Sequence, residues 1–419
     1  MNSIAAKTNI AARNRASVLG KNAMLMSMVV ALIALMALLY TVVNGVFGYV
    51  IVRQATDPNS LSTEPLAQLS KDQLIQVMHD KAAADDVEGW TQGVLRRFDS
   101  EKPLADRTQG DLLQIVMDRI VKQETVESFT LTDSLFDRAR IDRELVEIQK
   151  QKEAGQGDAS LVFRSWIKPD FFTQPMNSVP DHAGVRTAVL GSLIVIVGTM
   201  LIAVPIGVGA AIYLEEYATR NRINQLIQTN INNLAGVPSI IYGMLGLFLF
   251  VRGLEALTSG GWFGIEGGNG RTVLSAVLTM ALLVLPIIII NAQEAIRAVP
   301  LSLRQASYGI GATRWETIRD HVLPSALPGI LTGTILAMSR AMGETAPLIV
   351  VGASTFIITD PTGPFSKFTV LPIQIYNWTA QPGEQYRNVA AAAILVLLVL
   401  LISLNLIAVT LRNRYGKSR

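Results

Sequence analysis

The sequence predicts an all-α polytopic membrane protein with a polar, mainly helical insert after its first span. Three observations predict it. Only 16% of the residues are charged and 50% are hydrophobic, with a mean hydropathy of +0.36; a soluble chain carries charge on about a quarter of its residues. Six apolar segments recur along the chain, each long enough to cross a bilayer as a helix. The charge is also partitioned: residues 53–186 hold 23 of the 33 acidic and 17 of the 36 basic residues, so this stretch is net −6 and the remainder net +9.

Residues 1–21 form a tail with Lys7, Arg13, Arg15 and Lys21 and no acidic residue. Residues 22–52 follow without a charge. A secretory signal has an apolar core of only about 7–15 residues, so this longer run is read as a retained first transmembrane helix.

The insert, residues 53–186, shows helical periodicity. Ser70 and Gln73 have capping-box spacing ahead of Leu74, Val77 and Met78. Leu112, Ile115, Val116 and Ile120 share one helical face, and residues 133–153 read as one charged helix ending at Gly155 and Gly157. No period-2 pattern announces a strand. His79 and His182 are isolated, and the chain has no cysteine, which excludes a disulfide scaffold and thiolate metal sites.

Apolar segments return at 187–214, 234–251, 272–290, 328–353 and 389–411, giving a five-helix core over 187–411 and a tail at 412–419. Pro205, Pro286 and Pro347 lie inside three of them, tolerable where neighbouring groups satisfy the freed carbonyls. An amide-rich stretch, 221–233, precedes the second. With the N-terminus cytoplasmic, fourteen Lys and Arg residues fall in the cytoplasmic tails and loops and four in the two short outer loops. This asymmetry places both termini inside and residues 53–186 outside.

Arg340 and Glu344 are the only charged residues in 328–353. On a continuous helix from Pro328, Arg340 would lie ~18 Å along, near the bilayer midplane. Ionisable groups at that depth are costly and mark pathways or buried pairs. One turn apart, the two can pair. The Thr345 hydroxyl can cap the bend before Pro347, which is the favoured reading, or hydrogen-bond another group. A structural ion pair pinning this helix is the alternative to a pathway role.

Enzyme signatures are missing. The chain has no nucleophile elbow, zinc-binding His-Glu pair or dinucleotide fingerprint. Gly416-Lys417-Ser418 imitates the end of a phosphate-binding loop, but Leu411 stands where that loop needs glycine. The loop at 291–327 is more informative. Gln305-Ala306-Ser307, then Gly311, then Leu323-Pro324 suggest two short helices broken at Gly311, with Tyr308, Ile310, Trp315 and Ile318 on one surface. Such apolar content needs cover, either from a partner or from the bilayer surface; the pattern alone leaves both open.

This loop resembles the EAA coupling loop of ABC importer permeases, in which Glu-Ala-Ala, a following glycine and a later Leu-Pro dock on the cytoplasmic ATPase. Gln305 departs from the usual glutamate, which removes a salt bridge while leaving an amide able to hydrogen-bond. Within that family, residues 211–217, 234–243 and 343–348 resemble the permease subunits of phosphate importers, of the PstA type. The resemblance covers the first helix and about 163–419, and leaves roughly 54–160 unexplained.

The resemblance implies the six-helix MetI-like permease fold and one half of a heterodimer with a PstC-like subunit. It implies a PstB-like ATPase dimer that binds the ATP and Mg, so that this chain needs no cofactor and is no enzyme itself. A PstS-like binding protein would deliver phosphate in a bacterial inner membrane, and no nucleic acid is involved. ATPase coupling would fall to Gln305, Ala306, Ser307, Tyr308, Gly311, Ala312 and Trp315, and gating of the path to Arg340, Glu344 and Thr345. Two roles stay open for the insert, a docking surface for the binding protein and a stabilising spacer. A permease for another oxyanion, or a membrane sensor or scaffold, are the alternative readings of the whole.

Overall fold

The computed structural model describes residues 10–62, 64–84, 87, 89–151, 156–219, 221–265 and 269–416. Lys7, Gly155, Lys417 and Ser418, all named above, lie outside the described residues. The chain divides into two compact units, Met1–Ser165 and Trp166–Arg419, so the division falls ahead of the expected 186.

In the first unit, helix α1 (Ile10–Val46) is apolar, almost wholly exposed along its length, and passes directly into strand β1 (Phe47–Gln54). The expected helix 22–52 therefore ends six residues early. Strand β1 is the centre of an antiparallel sheet, between β2 (Gln123–Ser128) and β3 (Ala159–Ser165). Ile51 stands opposite Glu127 on one side and Leu161 on the other, and Val50, Ile51 and Val52 are all buried. A central strand covered on both faces reads as a continuous apolar run, which periodicity cannot tell from the end of a helix. The sheet corrects the expectation that the mainly helical insert holds no strand.

The helices around it follow their sequence signals more closely. Helix α2 (Lys71–Ala84) opens with the expected box: the Ser70 amide donates to Gln73 Oε1 at 2.8 Å, and the Gln73 amide donates to Ser70 Oγ at 3.4 Å. Leu74 and Met78 are buried in one cluster with Trp90, together with Leu112 and Val116 of α4 (Gln109–Val116), while α3 (Gln92–Glu101) contributes Leu95. The expected helix at 133–153 is two helices, α5 (Leu131–Phe136) and α6 (Arg138–Lys150). They part at Asp137, whose backbone (φ −126°, ψ 45°) is not helical.

In the second unit, residues 166–185 belong to the apolar core: Phe171 stacks on Trp378 at 6.4 Å, and Gln374 Nε2 donates to the Gly184 carbonyl at 2.7 Å. Helix α7 (Arg186–Ile212) runs on into a π-helical turn, Tyr213–Tyr217. Helices α8 (Arg222–Ala235) and α9 (Ser239–Gly246, extended by a π-helical Leu247–Gly253) form a pair bent by 107°. Pro238 in the intervening turn sets the bend, because it lacks an amide hydrogen and disfavours helical backbone in the residue before it. The central helix is α10 (Val273–Arg297), which packs on α7 and on α13 (Leu323–Gly343) and buries Ala276, Met280, Val284 and Ile288. The cytoplasmic-type loop carries α11 (Leu301–Gly309) and α12 (Arg314–Thr317). After α13 come α14 (Ala346–Val351), α15 (Leu371–Ala380) and α16 (Glu384–Gly416). Five described helices are long and apolar enough to cross a membrane, or six if the bent pair is taken as one broken span.

The expected span 328–353 is not one helix. It starts at Leu323, ends at Gly343, and resumes as α14, whose first turn holds Pro347. Proline is at home there because the first-turn amide has no partner anyway. Helix α14 lies against α9, and the closeness of that contact depends on Gly243. A Cβ at Gly243 would stand 2.6 Å from Pro347 Cα and 3.0 Å from its carbonyl oxygen. These are backbone atoms and cannot rotate away. Gly243→Ala is expected to lose about 1–3 kcal/mol to overpacking, read as a lowered Tm of the purified protein. Gly209→Ala, where a Cβ meets nothing within 4 Å, is the control and leaves Tm unchanged or raised.

Candidate functional site

Arg340 occupies the last turn of α13, and the helix stops three residues later because Glu344 is extended (φ −76°, ψ 122°). It therefore stands at the end of its helix, ~26 Å from Leu323 at the usual rise, not midway along a continuous span. A cation is favoured at a helix C-terminus, where the last carbonyls lack amide partners. Arg340 Nε approaches Glu344 Oε1 at 3.4 Å, with the side chains 46% and 19% exposed. The pair expected from the sequence forms, through a single long contact. Ion pairs this open to their surroundings contribute only about 0–1 kcal/mol in water. Among the described residues the guanidinium's two terminal nitrogens make no hydrogen bond, so a planar fork stays available. Thr345 opens α14 but its side chain accepts no capping hydrogen bond, which corrects the reading of it as a cap.

The loop following α10 is shorter than the expected 291–327, since α10 extends to Arg297 and α13 begins at Leu323. Gly311 provides the break, with φ +91°, a region costly for residues with a Cβ. Helix α12 opens with a capping box in which the Thr313 amide donates to Glu316 Oε2 at 2.8 Å and the Glu316 amide donates to Thr313 Oγ1 at 3.3 Å. Gln305, Ala306, Tyr308, Gly311 and Trp315 are exposed, Ile310 is 84% exposed, and Ala312 is half-buried. Two residues turn inward. Ser307 is buried, its hydroxyl 2.8 Å from that of Thr317, and Ile318 is buried too, contrary to its expected place on the apolar surface. Ser307 thus holds the two short helices together, and the outward apolar surface narrows to Tyr308, Ile310 and Trp315.

What fixes this loop is a set of residues that the sequence reading did not single out. At the end of α7, three consecutive side chains each hold one arginine. Glu215 pairs with Arg297 at 2.5 Å, Glu216 with Arg304 at 2.9 Å, and the Tyr217 ring lies 5.6 Å beneath the Arg314 guanidinium. The π-helical turn makes this possible by widening the helix end, a device common at functional positions. The Arg304–Glu216 pair is the best buried of the three, its side chains 13% and 8% exposed. Arg304 also donates to the carbonyls of Val299 at 2.7 Å and Ile296 at 2.9 Å. One side chain therefore caps α10, anchors α11 and ties both to the end of α7. The available signal was two adjacent acids closing an apolar helix in a chain whose later loop is basic.

Bent and broken apolar helices around a central buried one, five of them long and apolar enough to cross a membrane, fit an integral-membrane protein. Residues 203–417 match the family described as binding-protein-dependent transport system inner membrane component, and the chain belongs to that family. It is 33% identical over 254 residues to the probable ABC transporter permease protein YqgI of Bacillus subtilis, covering 57% of this chain and 82% of that one. It is 32% identical over 240 residues to the phosphate transport system permease protein PstA of Yersinia pestis, covering 57% and 75%. The phosphate transport system permease protein PstC of Mesorhizobium japonicum is 32% identical over 308 residues, covering 67% and 90%.

The segments singled out by sequence are the ones the fold uses for close contact. Residues 234–243 supply Gly243, residues 343–348 supply Pro347, and residues 211–217 supply the clamp.

Proposed function

We propose that this chain is the PstA-type transmembrane permease subunit of an ATP-driven importer of inorganic phosphate. It forms half of the translocation path and couples that path to a cytoplasmic ATPase. The observation that carries the reading is the loop: a glycine-broken helix pair, clamped at three points, that leaves Tyr308, Ile310 and Trp315 exposed. An apolar tip on a rigid mount is suited to burial in a partner's groove. The kinship with phosphate permeases supports the choice of substrate.

In this reading Gln305, Ala306, Tyr308, Gly311, Ala312 and Trp315 meet the ATPase, with Ser307 as the internal brace. The chain itself binds neither ATP nor Mg; a PstB-like ATPase dimer does. A PstC-like subunit forms the other half of the path, and a PstS-like protein brings phosphate to the outer face. The complex sits in the bacterial inner (cytoplasmic) membrane with both termini of this chain cytoplasmic and residues 53–186 on the periplasmic or extracellular side. Arg340, Glu344 and Thr345 line the path. Paired with Glu344, Arg340 presents little net field; released, it offers a fork of donors to an oxyanion.

The test is ATP hydrolysis by the complete complex in proteoliposomes carrying the phosphate-binding protein. Phosphate is expected to stimulate hydrolysis, while molybdate and phosphonate leave it at its basal rate. Stimulation by one of those anions in place of phosphate would overturn the substrate.

A further inference from the structure

The end of α1 is fastened to the short helix α5 by side chains. Asn44 Oδ1 accepts from the Thr132 amide at 2.7 Å and from its hydroxyl at 2.6 Å, and the Tyr40 hydroxyl lies 2.6 Å from the same Thr132 oxygen. Tyr40 and Asn44 are one turn apart on α1, so the three bonds fix α5 against one face of that helix.

The depth of this junction follows from the sequence. Lys21 is the last charge before the strand, and Tyr40 lies 19 residues beyond it, ~28 Å along a helix. The hydrocarbon core is about 30 Å thick. Tyr40 therefore falls at the far boundary of the bilayer, the level where tyrosine is enriched.

At that level α5 ends in two large apolar side chains with no cover. Leu135 is 66% exposed and Phe136 84%. Phe136 is four residues after Thr132, hence on the α5 face that meets Tyr40. On α1 the apolar surface of Met36, Leu39 and Tyr40 is exposed as well, so the two patches are continuous with the lipid-facing side of a membrane helix. The two cations that follow directly are already engaged. Arg138 pairs with Asp142 and covers the Tyr49 ring, and Arg140 pairs with Glu144.

We propose that Leu135 and Phe136 form a membrane foot: they enter the lipid interface beside α1 and fix the insert at the bilayer surface. The inference rests on α1 crossing the bilayer, a part of the proposed topology. The occupant is lipid, at the boundary of headgroup and acyl chain, and apolar burial holds the foot in place without requiring anionic headgroups.

The chain has no cysteine, so single-cysteine variants of it, assembled with partner subunits whose own cysteines are replaced, can each carry one nitroxide without background. Labels are placed at Phe136→Cys, at Val146→Cys on the exposed face of α6 and at Leu32→Cys within α1. Their depth in neutral vesicles is read from relative accessibility to oxygen and to a water-soluble nickel complex. The expected result is a label at 136 buried ~5–10 Å into the interface, a label at 32 deep in hydrocarbon and a label at 146 in water. A label at 136 as water-accessible as that at 146, with 32 still deep, overturns the foot alone. A label at 32 in water overturns the topology beneath it. Reaching the same depth only after anionic lipid is added would replace apolar insertion by headgroup attraction, and overturns the proposal as stated.

Discussion

Arg340→Gln is expected to assemble normally and to slow phosphate uptake by ~10- to 150-fold, the equivalent of about 1.5–3 kcal/mol for hydrogen bonds to a charged group. Glutamine preserves most of the length and polarity, so the packing of Ala341 and Met342 into the core is untouched. What is lost is the cation and its fork. Basal ATP hydrolysis should persist, because the clamped loop is a separate structure. Arg340→Lys should recover only part of the uptake, since a point charge replaces a planar donor set. Uptake at the normal rate by fully assembled Arg340→Gln complexes would make the pair a structural feature of α13 and remove it from the path.

Arg304→Ala has the other large expected effect, and a different signature. Breaking a buried pair by removing one partner costs about 3–5 kcal/mol, and here Glu216 and the carbonyls of Ile296 and Val299 all lose a donor. The α11 segment should swing free of α7 and α10 while the membrane helices stay packed. The expected outcome is ATP hydrolysis that no longer responds to phosphate, with uptake per ATP falling at least tenfold, a change of about 1.4 kcal/mol in coupling. Exchanging the charges, Glu216→Arg with Arg304→Glu, should not restore coupling. A carboxylate at 304 cannot donate to two carbonyls. Full rescue by the exchange would show that the ion pair alone matters and that the cap on α10 does not.

Much of this was legible in the sequence because it rests on composition. The insert, the apolar segments and the Gly311 break each show in a local stretch of chain. The failures share a physical cause. Strand β1 hides at the end of α1, since a strand buried on both faces carries no alternation. The halt of α13 at Gly343 escapes notice because the apolar run resumes directly after Glu344 and Thr345, while the extended backbone at Glu344 is a tertiary outcome. Ile318 and Trp315 have similar apolarity, and only the Ser307–Thr317 contact decides which of them turns inward. The clamp spans more than eighty residues of sequence; local periodicity cannot carry a pairing at that range.

The early end of α13 also bears on residence time. Its last carbonyls and Glu344 gather negative charge where the Arg340 fork is positive, so an anion there meets attraction and repulsion from neighbours a few ångströms apart. A receptor built for capture would bury the guanidinium and surround it with donors. Conduction instead needs binding strong enough to admit an ion and weak enough to release it. In the proposed role, the helix terminus would make Arg340 a stepping stone, with capture left to the proposed binding protein and departure eased by the backbone itself.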